Sequence, residues 1–206
     1  MMTCMGAAEL PDLGDHRVVL ALPAVDLDDL VAACEVAWQE GHRVWSLPVD
    51  QLDDLAGLRS VFGRRARLGV HNVTTPQEAS AAGEAGADLI ASIYADPELV
   101  VAAGGVPVVL GGLTPRELRA AHLAGASAVQ VVPCDAFGTA YARTLPELVA
   151  DLPLLATGRL EHYQAENWLS AGAIGVWPTN LVSRELVVDT DLGGWRAVCQ
   201  RWRLGD

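Results

Sequence analysis

The sequence predicts an α/β protein built as a single (β/α)₈ barrel, and three recurring features support this fold class. Eight short apolar runs, each of about four to six residues and rich in Val, Ile or Leu, follow one another along the chain. Stretches with helical spacing separate these runs, and a glycine closes several of the stretches. The interval between runs varies from about 18 to 26 residues, so the chain contains eight strand–helix units.

We interpret the apolar runs as parallel strands, because strands covered on both faces are apolar without alternation. Residues 1–16 mix Gly, Pro and acidic residues without a clear period, and they predict a lead-in or a short helix before a barrel over 17–206. The predicted strands are Arg17–Leu22, Arg43–Leu47, Ala66–Val70, Asp88–Ser92, Val106–Leu110, Ala128–Val132, Leu154–Thr157 and Ile174–Trp177.

The stretches between the strands carry helix signals. Residues 27–37 place apolar side chains at spacings of three and four. Thr75–Glu78 and Thr114–Glu117 each offer Thr as N-cap, Pro at the first helical position and Glu at the third. Glycines suited to a left-handed C-terminal cap stand just before predicted strands, at Gly41, Gly86, Gly125 and Gly172.

Alternating strands and helices require a parallel sheet, and eight units favour closure into a barrel. The competing fold is a doubly wound open sheet. That fold would place a glycine-rich phosphate-binding turn after its first strand, whereas Leu22–Asp26 reads Leu-Pro-Ala-Val-Asp. The turn sequence therefore favours the barrel.

Composition excludes several function classes. The net charge of −12 argues against binding to nucleic acid or to an anionic membrane surface. Apolar runs are too short to span a bilayer, and we identify no leader for export. The four cysteines, Cys4, Cys34, Cys134 and Cys199, lack disulfide or metal spacing, which is typical of reduced thiols in a cytoplasmic protein. We expect no cofactor.

The basic residues are of one kind. The 206 residues include 14 arginines and no lysine. A compositional bias across the source proteome explains this without reference to function. Whether or not that bias is the cause, the chain contains no ε-amino group.

Active sites of such barrels lie at the carboxyl ends of the strands, and the residues there provide the candidates for function. His71 with Asp135 across the mouth could move protons, or the histidine could bind a loop backbone. Cys134 would need an activating partner to be nucleophilic, and an inert side chain is the expectation. The candidates are Ser46, Asp50, His71, Asn72, Gln130, Asp135, Thr157, Gly158, Arg159 and Asn180.

Several segments resemble the 2-keto-3-deoxy-6-phosphogluconate/4-hydroxy-2-oxoglutarate (KDPG/KHG) aldolases, in the same order over residues 17 to 185. Gly69–Val73 resembles their Gly-x-Gly-Thr-Val stretch, and Glu84–Ala87 their Glu-Ala-Gly-Ala. Val106–Thr114 is similar to Ile-Pro-x-x-Pro-Gly-x-x-Thr. Val129–Asp135 is similar to Phe-Lys-Phe-Phe-Pro-Ala-Glu, and Ala156–Arg159 to Pro-Thr-Gly-Gly. The resemblance implies a barrel and, as is common in the family, a homotrimer.

The resemblance also shows where the chain departs from the family chemistry. The family forms a Schiff base on a strand-6 lysine and moves protons with a strand-2 glutamate. Gln130 stands at the lysine position and Ser46 at the glutamate position. An amide nitrogen is not a usable nucleophile, and a serine hydroxyl does not titrate near neutrality. Asp50 and Asn72 match an arginine and a threonine of the family site. Schiff-base aldol cleavage through a side chain is therefore excluded.

The region that would bind phosphate in the family is altered as well. Thr157 and Gly158 are retained, but Arg159 replaces the second glycine, and Pro178–Asn180 replaces Gly-Gly-Ser. Proline removes one backbone donor. Arg159 could supply a charged fork for a phosphate or carboxylate, or it could be a solvated loop residue.

Three functional hypotheses follow. The first is an aldolase-family barrel that binds a small anionic 2-oxo or sugar acid and lacks class I aldol cleavage. The second is a non-catalytic scaffold or regulatory barrel, with its mouth filled by Trp177 or Tyr94. The third is a metal-assisted lyase with His71, Asp50 and Asp135 as ligands, although no spacing rule supports a metal site.

Overall fold

The structure, a computed structural model, describes residues 8–188 and 191–204. Its centre is one eight-stranded sheet in which each strand pairs in parallel with the next along the chain. The strands are β1 (Val19–Ala21), β2 (Val44–Pro48), β3 (Arg67–His71), β4 (Leu89–Ser92), β5 (Val108–Gly112), β6 (Ala128–Val131), β7 (Leu154–Gly158) and β8 (Gly175–Pro178).

Helices follow the strands in alternation and cover the outside of the sheet. They are α1 (Leu27–Gln39), α2 (Asp54–Phe62), α3 (Pro76–Glu84), α4 (Pro97–Ala102), α5 (Pro115–Leu123), α6 (Gly138–Leu148), α7 (His162–Ser170), α8 (Arg184–Val188) and α9 (Leu192–Arg201), with a 3₁₀ turn at Val49–Gln51. Among residues 8–188 and 191–204, no helix combines the length and apolar character needed to cross a bilayer.

A single backbone contact brings the two ends of the sheet together. Val18 forms a parallel bridge with Val176, and the Val176 N–H donates to the carbonyl of Arg17 at 2.9 Å. This contact nearly closes the sheet into a barrel, and the predicted (β/α)₈ fold is confirmed.

The predicted helix signals are also confirmed. Thr75 and Thr114 each accept a hydrogen bond from the backbone N–H of the following Glu, and both form complete capping boxes with Pro at the start of the helix. All four predicted C-terminal glycines have positive φ, which is a conformation that side chains disfavour. Local signals therefore determine where these helices begin and end.

The barrel interior is filled at its amino-terminal end. Buried side chains from the strands form one apolar cluster, and Leu10 and Leu13 of the segment before β1 pack against it. The prediction for residues 1–16 lies partly outside the described residues, since residues 1–7 are not described. Residues 8–13 form neither helix nor strand, and a turn follows at 14–17. With this end packed, the free space lies at the opposite mouth.

A larger apolar layer lies between the sheet and the helices. Trp168 in α7, Trp195 in α9 and Trp202 just after it are all buried within the chain. Trp195 also donates its indole N–H to the carbonyl of Ala33 in α1 at 2.8 Å. Each of these three tryptophans therefore packs inside the chain.

Candidate active site

A cavity of about 340 Å³ opens at the carboxyl ends of the strands. This is the end at which (β/α)₈ barrels place their active sites. Polar side chains from β3, β6, β7 and the loop after β8 face apolar side chains from β1, β4, β8 and adjoining loops. The lining residues are Ala21, Leu22, Pro23, His71, Asn72, Ala91, Ile93, Gln130, Val132, Thr157, Trp177, Thr179 and Val182.

His71 and Ser46 form a hydrogen-bonded pair beneath this cavity. His71 ends β3, and its Nδ1 lies 2.9 Å from the Oγ of Ser46, which is buried in β2. The register pairs Ser46 with Gly69, two residues before His71, so the two side chains share the inward face. Gly69 has no side chain to separate them. The hydrogen bond therefore links two candidate residues that were not predicted to be in contact.

The imidazole of His71 is neutral at physiological pH. Burial lowers the pKa of His71 to about 4, and the nearby Asp50 charge and the hydrogen bond with Ser46 only partly oppose this. The indole of Trp177 covers the ring in an edge-on arrangement, with centroids 6.4 Å apart. A neutral imidazole has one nitrogen that donates and one that accepts a proton.

Gln130 is held in one orientation. Its amide nitrogen donates to the carbonyl of Ser92 at 2.7 Å, and the residue is only 3% exposed. The amide oxygen is therefore the end left for a ligand in the cavity. Thr157 on the neighbouring strand β7 is 7% exposed, and its buried hydroxyl has no hydrogen-bond partner among the described residues. A buried hydroxyl without a partner is costly, and it offers a ligand both a donor and an acceptor.

Asn72 adds an amide at the rim of the cavity. It is exposed and has φ of 61°, in the left-handed region. Asn adopts this conformation more readily than most residues. The turn at the end of β3 therefore places an amide beside the imidazole of His71.

The candidates on the loops after β6, β7 and β8 support the backbone instead of lining the cavity. The Oδ1 of Asp135 accepts from the N–H of Arg159 at 3.1 Å, and the Oδ1 of Asn180 accepts from the N–H of Leu160 at 3.0 Å. A Cβ at Gly158 would overlap that same Asp135 oxygen. Arg159 is exposed and forms no ion pair within the described residues.

Neither a metal cluster nor a reactive thiol is found in the described part of the chain. No three His, Cys, Asp or Glu side chains converge there, and Asp135 bonds to a loop backbone instead of joining His71 and Asp50. Cys134 is buried, and burial raises the pKa of its thiol to about 12. A thiol with this pKa is not a nucleophile at neutral pH.

Part of the cavity was not anticipated from the sequence. Leu22, Pro23, Ile93 and Val182 form much of its apolar wall. Leu22 ends the first predicted strand and Pro23 follows it, so their position at a strand end was a usable signal. Val182 lies in the loop after β8, and nothing in the local pattern distinguishes it.

Comparisons with known proteins agree with the fold. The 2-dehydro-3-deoxy-6-phosphogalactonate aldolase of Escherichia coli strain K12 is 29% identical over 164 residues, covering 77% of this chain and 80% of that protein. A native KDPGal structure superposes with a TM-score of 0.81 at 21% identity, covering 90% of this chain and 91% of the other.

A second similar structure is a KDPG aldolase from Legionella pneumophila with pyruvate captured as a covalent carbinolamine. Its TM-score is 0.79 at 19% identity, covering 89% of this chain and 92% of the other. No family model matches the chain.

Proposed function

We propose that this chain is a KDPG/KHG aldolase-like barrel whose mouth cavity binds a small anionic 2-oxo acid or sugar acid without forming a Schiff base. The observation that carries the proposal is the conjunction of an open cavity with one polar wall and a sequence of 206 residues that contains no lysine. An amine is the nucleophile that Schiff-base formation requires.

The cavity has the size and polarity for a ligand of this class. Its volume of about 340 Å³ accommodates a molecule of a few carbon atoms. One wall offers His71, Asn72, Gln130 and Thr157 for hydrogen bonds, and the other is apolar. Such a division fits a ligand with polar oxygens along one edge and carbon atoms along the other.

Gln130 stands where the resemblance places the reactive lysine. Its amide nitrogen already donates to Ser92, so the side chain positions a ligand instead of attacking it. The relative from Legionella pneumophila holds pyruvate covalently, whereas we propose that this chain holds its ligand by hydrogen bonds alone. Arg159, exposed on the loop after β7, is the proposed source of positive charge for the ligand's carboxylate.

The proposal includes a homotrimer and a cytoplasmic location. The trimer follows from the family resemblance. The location is supported by Cys34, Cys134 and Cys199, which are all free and buried. The other two hypotheses have less support. An open cavity favours ligand binding over a scaffold with a filled mouth, and the described residues bring no three metal ligands together.

Borohydride trapping combined with ligand-observed NMR tests this proposal. We expect saturation transfer from the protein to pyruvate or 2-oxobutyrate, and no mass increase on any side chain after reduction. Peptide mapping identifies any adduct on the α-amino group of Met1, which is the one amine in the sequence as given. Absence of saturation transfer would contradict the binding proposal. A reduced adduct within the barrel would contradict the mechanism.

A further inference from the structure

We propose that the cavity enolises a bound 2-oxo acid by direct proton transfer, with His71 as the base and Thr157 as the hydrogen-bond donor to the carbonyl oxygen. This inference rests on the proposed function, because it requires a 2-oxo acid in the mouth of the barrel. It adds a reaction, and it assigns roles to two side chains that line the same cavity.

The first observation is where the imidazole lies. His71 occupies the position of the second glycine in the Gly-x-Gly-Thr-Val stretch, and its ring reaches across to Ser46, the position of the glutamate. Where the family pattern has its titratable side chain on β2, this chain has one on β3, and that side chain lines the mouth cavity. A serine and a glycine at these two positions would leave the cavity without a base. With a serine and a histidine, the imidazole supplies one.

The second observation is the hydrogen bonding of the ring. Ser46 Oγ lies 2.9 Å from His71 Nδ1 and 3.5 Å from the carbonyl oxygen of Leu20. If the hydroxyl donates to that carbonyl, it must accept from Nδ1–H, which leaves the lone pair of Nε2 free. Nε2 has no hydrogen-bond partner within the described residues, and the ring lines the cavity. In that arrangement Ser46 is a positioning residue that selects the tautomer.

The third observation is the hydroxyl of Thr157. It is buried, has no partner in the described residues, and belongs to a residue that lines the cavity. A donor already present where negative charge develops stabilises an enolate without reorganisation. Trp177, paired with Thr157 in the β7–β8 register, packs edge-on against His71.

The reaction conserves atoms and electrons. His71 Nε2 takes a proton from the carbon next to the carbonyl, and the C–H electron pair forms a carbon–carbon double bond. The carbonyl π electrons move to oxygen, which accepts a hydrogen bond from Thr157. Return of a proton from the imidazolium to carbon regenerates the ligand. No oxidant, reductant or second substrate is needed.

Deuterium exchange into pyruvate tests the inference. Pyruvate in D₂O buffer is followed by proton NMR, and we expect the protein to accelerate loss of the methyl signal. H71Q should slow exchange by about 100-fold or more, and T157V by a similar factor. T157S, which retains a hydroxyl, should restore most of the rate. H122Q, at the C-terminal end of α5 and away from the cavity, should exchange at the unaltered rate.

Binding measurements separate the possible failures. If saturation transfer shows pyruvate bound and exchange stays at the buffer rate, the enolisation inference is wrong and the proposed function stands. If H71Q binds pyruvate and exchanges as fast as the unmodified protein, His71 is not the base. If pyruvate and 2-oxobutyrate both fail to bind, both proposals fail. S46A should keep binding but shift the pH profile of exchange, which a purely structural role for Ser46 would leave unchanged.

Discussion

Replacing His42 with Gln should remove a large part of the protein's sensitivity to mild acid. His42 lies between α1 and β2, at the end of the barrel opposite the cavity, and is 1% exposed. Its Nε2 is 2.9 Å from the carbonyl of Cys199, so the neutral ring donates from that nitrogen. Its Nδ1 is buried without a partner in the described residues. Protonation would therefore bury an unpaired charge.

The magnitude follows from the pKa of His42. Burial is the largest cause that lowers this pKa from 6.5 to about 4. Below pH 6.5 the unfolded chain takes up a proton that the folded chain does not bind until about pH 4. Stability is thus complete above pH 6.5 and falls as the pH drops towards 4. The loss between pH 8 and pH 5 amounts to about 2 kcal/mol from this residue.

Urea unfolding followed by tryptophan fluorescence, at one fixed protein concentration, measures this loss at pH 8 and pH 5. Between pH 8 and pH 5, the free energy of unfolding should fall by about 2 kcal/mol less in H42Q than in the unmodified protein. H71Q provides a matched comparison, because the pKa of His71 is lowered in the same direction. Equal falls in the unmodified protein and H42Q would refute the reasoning. The pKa of Glu40 is lowered from its ordinary value, so this carboxylate titrates below the window.

Two further predictions concern the loop after β7 and the buried thiols. Gly158→Ala should lower the free energy of unfolding by about 1–3 kcal/mol in urea titrations, since its Cβ would overlap Asp135 Oδ1 and lie 3.1 Å from Cys134 Sγ. Iodoacetamide at pH 8, read by peptide mapping, should leave Cys134 unmodified in the folded protein and label it in urea, because burial raises the pKa of its thiol to about 12.

Each of these has a matched control. Gly193→Ala in α9 places a Cβ no closer than 3.6 Å to its nearest neighbour, so it should leave stability unchanged or slightly raised. If G158A is as stable as G193A, the loop after β7 adjusts to the added Cβ at little cost in free energy, and the prediction is wrong. For the thiols, Cys34 and Cys199 are also buried and should behave like Cys134. Labelling of Cys134 at the rate of an open thiol would contradict the assigned burial.

The sequence alone predicted the barrel because its signals are local. Apolar runs, N-caps such as Thr75 and Thr114, and C-terminal glycines such as Gly41 act over a few neighbouring residues. Each is decided by contacts within one turn or one strand. The apolar runs recur eight times, which leaves few topologies, and the observed strand order is the one that this recurrence implies.

The lining of the cavity could be predicted only in part. His71, Asn72, Gln130 and Thr157 were nominated from their places at strand ends, and all four line the cavity. Asp135, Gly158 and Asn180 were nominated in the same way, yet they organise loops. Chain position alone does not distinguish these groups, because each strand end presents residues both to the axis and to the neighbouring loops.

What the sequence by itself determined is the fold and one chemical limit, the absence of any lysine among the 206 residues. Only the tertiary structure decided that His71 meets Ser46, that Gln130 gives its amide nitrogen to Ser92, and that Thr157 has no partner in the described chain. The physical reason is register. Which side chains meet inside a barrel depends on the stagger of neighbouring strands, and that stagger is set by packing around the whole sheet.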